Sequence, residues 1–303
     1  MRPTWTWEVP TYFFVGGAAG ASAVIGSVAR DRDLARHAKW IAAVGGAASG
    51  ALLTADLGRP KRFLNMLRVF KLQSPMSVGA WTLTAFSSAA AAAAFIDSIA
   101  HETDGRMALT LVGDAADALA AATGLVMTTY TGVLIGATAI PVWNRHVRLL
   151  PIHFAASALG SAASMLELLG HDDPALNRLA IVAAAAETAT GIAVEVDRDQ
   201  TSAPLRSGVS GWVTRAGGVL SGPLPLALRV AGRRSPPMRR TAALLTVAGA
   251  LLTRFGWWTA GTASADNPRI PLRLERVESS RVEAADDRRF DVDARAAVHG
   301  IGE

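Results

Sequence analysis

Apolar residues along this chain gather into long stretches, and the charged residues collect in short clusters with Pro and Gly between them. The stretches cover 10–29, 36–56, 76–100, 108–140, 147–170, 176–195, 208–230 and 241–262. At 1.5 Å rise per residue, about 20 apolar residues make a helix that crosses a ~30 Å hydrocarbon layer. The pattern therefore predicts an all-α integral membrane protein, a bundle of eight transmembrane helices. An even number of crossings puts both termini on one side. Segment 108–140 is longer than one crossing needs, which predicts first turns that project beyond the bilayer or a tilted helix. Segment 208–230 carries Arg215, Pro223 and Pro225, and predicts either a broken helix or one covered by its neighbours rather than by lipid. The pattern stops at Ser264, after which Arg, Asp and Glu recur densely. The chain thus divides into a helical membrane domain over 1–262 and a polar tail over 263–303, too polar for a core of its own and read as extended or disordered.

Composition adds less than segment length. Half of the 303 residues are hydrophobic and the mean hydropathy is +0.28, modest because the segments lean on Ala and Gly and the tail is charged. The net charge of +5 comes from Arg in the loops, where it suits anionic lipid headgroups. No basic helix or basic-aromatic module accompanies it, so nucleic acid is not an expected partner. The absence of cysteine excludes disulfides, thiolate-bound iron–sulfur clusters and covalent haem attachment. The first stretch follows Glu8 and Pro10 and has only Arg2 as a basic flank, so it reads as the first helix rather than a cleaved leader. Arg30, Arg32, Arg36, Lys39, Arg233, Arg234, Arg239 and Arg240 mark one set of loops as cytoplasmic if the basic segment Asp56–Lys71 has another purpose. Both termini then face outward. Gly16/Gly20, Gly46/Gly50, Gly132/Gly136 and Gly218/Gly222 recur at four-residue spacing and predict close helix packing faces.

The segment between the second and third stretches is the richest in chemistry. It reads Leu53-Thr54-Ala55-Asp56-Leu57-Gly58-Arg59-Pro60-Lys61-Arg62-Phe63, then Asn65-Met66-Leu67, and ends Ser74-Pro75-Met76-Ser77-Val78-Gly79-Ala80-Trp81. Asp56 closes an apolar helix, and Gly58 with Pro60 predicts a turn. Phe63, Met66, Leu67 and Phe70 against Lys61, Arg62 and Arg68 predict a short amphipathic helix in the membrane interface. A carboxylate and an arginine at that level can hold a polar headgroup whose tail stays in lipid; the plainer reading is that Asp56 and Arg59 only pair and cap the helix. Following helix direction, Glu8, Tyr12, Asp56, Arg59 and Tyr130 fall on the face that carries both termini. A second set, Asp114, Asp117, Glu167, Glu187 and Arg254, lies deeper or toward the other face. It reads either as a proton path across the membrane or as static pairing, for example of Glu187 with Arg254. A b-type haem in such a bundle needs two facing histidines, and His153 is the only histidine well inside an apolar stretch, since His37, His101, His146 and His171 lie in or beside loops and His299 in the tail. Neither haem, iron–sulfur cluster nor metal is therefore expected in this chain, and His153 reads as a hydrogen-bonded residue at a helix start.

Trp5-Thr6-Trp7-Glu8-Val9-Pro10-Thr11-Tyr12-Phe13-Phe14-Val15-Gly16-Gly17 resembles the opening of the NrfD/PsrC family, the membrane subunits of polysulfide-reductase-type respiratory complexes. Asp56–Phe63 and Ser74–Trp81 are similar to that family's signatures, as are Tyr130-Thr131-Gly132-Val133-Leu134, Pro141-Val142-Trp143 and the closing Ala260–Asp266. The resemblance is specific over the first four helices, moderate in the eighth, and rests on hydropathy alone in between. It implies eight helices in two four-helix groups in the bacterial inner membrane, binding menaquinone or ubiquinone as a diffusible substrate and no haem. It also implies a ferredoxin-like four-cluster iron–sulfur partner and a catalytic subunit, molybdopterin-dependent or alternatively a hydrogenase. Asp56 and Tyr130 would then act on the quinone, with Glu8, Tyr12 and Arg59 around it, and Thr11 and Tyr12 stand where the family often has another polar residue or histidine. The rival class is a secondary transporter or proton-conducting protein, but the Asp56–Trp81 signature has no counterpart in the second half, as two related halves would require. A third reading is an anchor that has lost quinone binding.

Overall fold

The computed structural model describes residues 5–58, 65–102, 107–232 and 235–266. They form ten α-helices and one 3-10 turn, with no strand among the described residues. In chain order these are α1 (Glu8–Val28), α2 (Arg32–Asp56), α3 (Pro75–Glu102), α4 (Met107–Gly136), α5 (Pro141–Arg145), α6 (Leu149–Leu168) and α7 (Pro174–Val196). The 3-10 turn (Gln200–Leu205) precedes α8 (Gly208–Ser221), α9 (Pro223–Ala231) and α10 (Pro236–Ala265). Helices α1, α3, α4, α6 and α7 are long and apolar enough to cross a membrane. The remaining long helices carry basic residues within their length, Arg36 and Lys39 in α2 and Arg239, Arg240 and Arg254 in α10.

Eight apolar stretches give ten helices because the seventh breaks and a short helix forms between the fourth and the fifth. The fourth ends at Gly136, and Ile140, extended at ψ 120°, hands the chain to Pro141, whose fixed φ suits the first position of the short α5. The seventh breaks at Gly222, where φ −103° and ψ −97° leave the helical region and Pro223 starts α9. Other ends follow local chemistry. Asp31 caps α2 by accepting from the Leu34 amide at 2.9 Å, and Asp173 caps α7 through the Ala175 amide at 2.7 Å. Gly58, at φ +64°, takes the left-handed position after α2, as the sequence predicts. Pro60, Lys61, Arg62 and Phe63 lie outside the described residues, as do Arg59, Arg233, Arg234 and the tail beyond Asp266. Helix α10 runs to Ala265, past the expected boundary at 262.

The Ala- and Gly-rich faces let backbones meet. A Cβ at Gly20 would sit 2.5 Å from the Gly124 carbonyl and one at Gly124 2.6 Å from the Gly20 carbonyl, so α1 and α4 touch main chain to main chain. Gly46 against Ser87 and Gly132 against the Leu150 carbonyl serve the same end. Gly50 and Gly218 do not: a Cβ there meets open space. The two core clusters differ in character. One is aromatic, built from Tyr12, Phe13, Phe86, Trp143, Phe154 and Trp257, and the other is Ala-rich around Ile25, Leu34, Leu166 and Leu176. The aromatic cluster lies at the end of the bundle where the described chain both begins and finishes.

Candidate functional site

At that end, motifs far apart in sequence dock on one another. Trp5 stacks on Trp143 with ring centroids 5.4 Å apart and planes 16° from parallel. The Trp143 indole donates to the Trp257 carbonyl at 2.8 Å, and the Val142 amide donates to Ser264 Oγ at 3.2 Å. A Cβ at Gly261 would fall inside the Trp143 ring, so only glycine there lets the indole seat against α10. The first and last described residues therefore share one end of the bundle.

Thr6 is the residue that sequence reasoning passed over. Its amide donates to Asp56 Oδ1 at 3.1 Å and its hydroxyl to the same oxygen at 2.8 Å, while the hydroxyl also contacts Glu8 Oε2. A hydroxyl carries a single hydrogen, so both contacts are hydrogen bonds only when one of the carboxyls holds a proton. The start of α1 and the end of α2 thus present two half-buried carboxyls bridged by one hydroxyl, an arrangement that can store and pass a proton. Tyr12 lies one turn further along α1, ~6 Å deeper, and is buried beside Gly16, Met127 and Ser49. Tyr130 belongs to the same end of α4. Its hydroxyl donates to the Pro75 carbonyl at 2.5 Å and its ring lies against Gly79, where any Cβ would overlap it. The tyrosine so clasps the Ser74–Trp81 motif at the start of α3. Arg59, expected to complete this set, lies outside the described residues.

The deeper set divides in three. Asp117 pairs with Lys39 at 3.7 Å within a network in which Asp97 also holds Lys39 and Arg36, each at 3.4 Å; Asp114, exposed, stands one turn before it. Glu167 pairs with Arg229 of α9, which is wholly buried and also donates to Asn177 and Ser164. Glu187 and Arg254 are buried but make no ion pair with each other: the arginine lies 3.7 Å over the Phe154 ring and donates to the Phe154 carbonyl at 3.0 Å. His153 is held through Nδ1 by Thr190 Oγ1 at 2.8 Å, the hydrogen-bonded role expected of it.

Two further clusters were missed. Arg145, Asp197, Ser202 and His146 join α5, the end of α7 and the 3-10 turn, with His146 Nε2 2.9 Å from Ser202 Oγ and Ser202 donating to Asp197 at 2.8 Å. Burial opposes the charge on Asp197, but hydrogen bonds from Arg145, the Asp199 amide and Ser202 win and hold its carboxyl below the usual range. Burial pushes the His146 imidazole down, with Asp197 opposing and Arg145 adding to the shift. At the other end of the bundle His37 and His171, read as separate loop residues, come within 3.0 Å. Spacing along one helix cannot reveal such pairs, because their members are 56 and 134 residues apart.

The fold and this end together define a multi-pass helical membrane protein whose distant motifs assemble one aromatic and carboxyl-bearing surface. The chain belongs to the polysulphide reductase NrfD family, whose model matches residues 1–171. That family comprises membrane subunits of quinone-interacting oxidoreductase complexes. The match covers α1 to α6 and so includes Thr6, Glu8, Asp56 and Tyr130. No curated protein matches the chain.

Proposed function

We propose that this chain binds quinone or quinol at the Thr6–Glu8–Asp56 end and exchanges electrons with a ferredoxin-like iron–sulfur subunit seated on that end. The observation that carries the reading is the bridging of Glu8 and Asp56 by a single hydroxyl where the family-like motifs converge. Quinone reduction takes two protons with its two electrons, and quinol oxidation gives them back. Two carboxyls joined through one hydroxyl at the membrane edge are suited to supply or receive them. Tyr12 and Tyr130 flank the route, Tyr130 mainly by fixing the start of α3. Substrate chemistry would belong to a catalytic partner, molybdopterin-dependent or a hydrogenase. The membrane crossing number is eight in this reading, with α8 and α9 forming one broken crossing. The basic loops at the opposite end would face the bacterial cytoplasm, which puts both termini outside.

A proton route through the C-terminal half is part of the proposal. His153, Ser157, Ser161 and Ser164 follow one another at helical spacing along one buried face of α6 and lead to Glu167. From His153 to Glu167 the rise is ~21 Å. Ser157 lies within hydrogen-bonding reach of Glu187, and Ser161 Oγ is buried with no hydrogen-bond partner, as is common where water completes a polar file. Asp114 and Asp117 form a separate candidate entry near Lys39. The test of the whole reading is quinol turnover by the assembled complex. Asp56→Asn is expected to lower it at least tenfold, and Tyr130→Phe less. Unchanged turnover in Asp56→Asn would remove the site from this end.

A further inference from the structure

A cavity of about 340 Å³ opens between α7, α8 and α10, away from the Thr6–Glu8–Asp56 end of α1 and α2. Its walls are almost wholly apolar, with Ile192, Val194, Val219 and Trp257 among them, and Ile192 and Val219 are more than half exposed on the outer flank. A ligand in lipid could therefore enter sideways. The size falls in the range of small-molecule pockets. Besides the hydroxyls of Thr188, Thr214 and Thr253, the polar groups away from the mouth are His153 and Glu187, each at least 96% buried by relative area (4% and 3% exposed).

Their hydrogen-bond states select the ligand. Thr190 Oγ1 lies 2.9 Å from the Ala186 carbonyl and 3.1 Å from the Glu187 carbonyl, the usual acceptors of a helical threonine hydroxyl, and with its one hydrogen so used His153 Nδ1 donates to Thr190. That assigns the imidazole tautomer and leaves Nε2 as an acceptor. Glu187 Oε1 has no hydrogen-bond partner although it is buried, and a carboxyl keeps an accepting oxygen in either protonation state. Two acceptors inside an apolar cavity call for a lipophilic molecule with hydroxyl donors on its head. An Arg215–Glu195 ion pair stands at the mouth, Nε to Oε2 at 3.0 Å, with both side chains half exposed, at a level suited to the headgroup boundary.

We propose that this cavity is a second lipoquinone site, selective for the hydroquinone form. It rests on the reading that the chain is quinone-reactive, and takes the ligand by hydrogen bonds from its hydroxyls to His153 Nε2 and Glu187. Gly218 supplies the means to test it. Gly218 lines the cavity, and a Cβ there meets nothing within 4 Å, so a larger side chain fills the cavity without pushing on its neighbours. The complex would be placed in lipid nanodiscs and titrated with decylubiquinol and a short-chain menaquinol, counting ligand bound beyond that in empty discs.

Two quinols per chain are expected in the wild type and one in Gly218→Leu, with Gly218→Ala, a control for folding, keeping two. Gly191→Leu, also facing open space in the cavity wall, should repeat the loss. Glu187→Ala should weaken the second site about tenfold, the scale of one hydrogen bond to a buried acceptor. A single wild-type site, lost in Asp56→Asn and untouched by Gly218→Leu, would overturn this inference and leave the proposed function standing. A single site lost only in Gly218→Leu would support the inference and displace the site at Asp56. No bound quinol in any form would overturn both.

Discussion

Removing the carboxyl of Glu167 should be among the most damaging single changes in the molecule. Its partner Arg229 is fully buried, with Nη1 2.8 Å from Oε1 and Nη2 2.8 Å from Oε2. Asn177 at 3.1 Å and Ser164 at 3.0 Å satisfy other donors but carry no charge to match the guanidinium. In Glu167→Ala the arginine stays in place, because α9 is tied to α7 and α10 and cannot turn its side chain to water. Stranding one member of a buried pair costs ~3–5 kcal/mol. At ~2–4 °C per kcal/mol for a chain of this size, the midpoint should fall by roughly 10 °C. The assay is thermal unfolding of the detergent-solubilised protein, followed by near-UV signal from its tryptophans. A double variant, Glu167→Met with Arg229→Met, should recover most of the loss, since an apolar pair of similar volume removes both charges together. A fall of less than ~1 kcal/mol in Glu167→Ala, or a double variant as unstable as the sum of the singles, would refute the reasoning.

Other expectations are narrower. Gly79→Ala would drive a methyl into the Tyr130 ring and should cost ~1–3 kcal/mol by overpacking, part of it recovered when Tyr130→Leu is added; unfolding midpoints of the two variants check this. The cluster at His146 should weaken in acid. The imidazole is depressed below its usual value, so its contribution is fully present above about pH 6.5 and is lost as the pH falls through the folded-state value, since the unfolded chain takes the proton first. Asp197, also depressed, adds a loss in the same direction below about pH 4. Unfolding midpoints between pH 7.5 and 5 should slope downward toward acid, and His146→Gln should flatten the upper part of that slope.

How much of this could be read from the residues depends on the range of the interaction. Local chemistry was legible: Asp31, Asp173 and Gly58 fix helix ends within a few residues of themselves, and Gly222-Pro223 announces the break in the seventh stretch. The short α5 was not, because its five residues fall between two apolar stretches and read as loop, with only Pro141 hinting at a helix start. The face shared by Glu8, Asp56 and Tyr130 was legible from helix direction, but the residue that joins the carboxyls was not. Thr6 lies 50 residues from Asp56, and nothing in its neighbours distinguishes it from any threonine before a helix. The suggested pairing of Glu187 with Arg254 missed Glu167 with Arg229 for a related reason. Hydropathy shows that buried charges need partners but does not say which helices touch, and here α6 meets the end of α9.

These pairings bear on how a proton could cross. Glu167 and Glu187 are both buried carboxyls next to the α6 file, yet they differ in what protonation would do. Neutralising Glu167 would leave Arg229 uncompensated, at the ~3–5 kcal/mol of a broken buried pair. A membrane potential of 150 mV supplies only ~3.5 kcal/mol per charge. A relay that had to empty this pair at each turn would spend its whole driving force there, so Glu167 fits a fixed post beside the file better than a stepping stone. Glu187 is held less directly: Arg254 lies within its field but bonds the Phe154 ring and carbonyl rather than the carboxyl. It can gain and lose a proton without breaking a direct ion pair, and Ser157 beside it leads onto the file. Glu187→Gln should therefore abolish proton movement coupled to quinol turnover while leaving the unfolding midpoint within a few degrees. Glu167→Gln should instead lower stability and spare any coupling that the folded fraction retains. Proton uptake by reconstituted vesicles, set against the unfolding midpoint of each variant, separates the two roles, and the reverse pattern would make Glu167 the carrier.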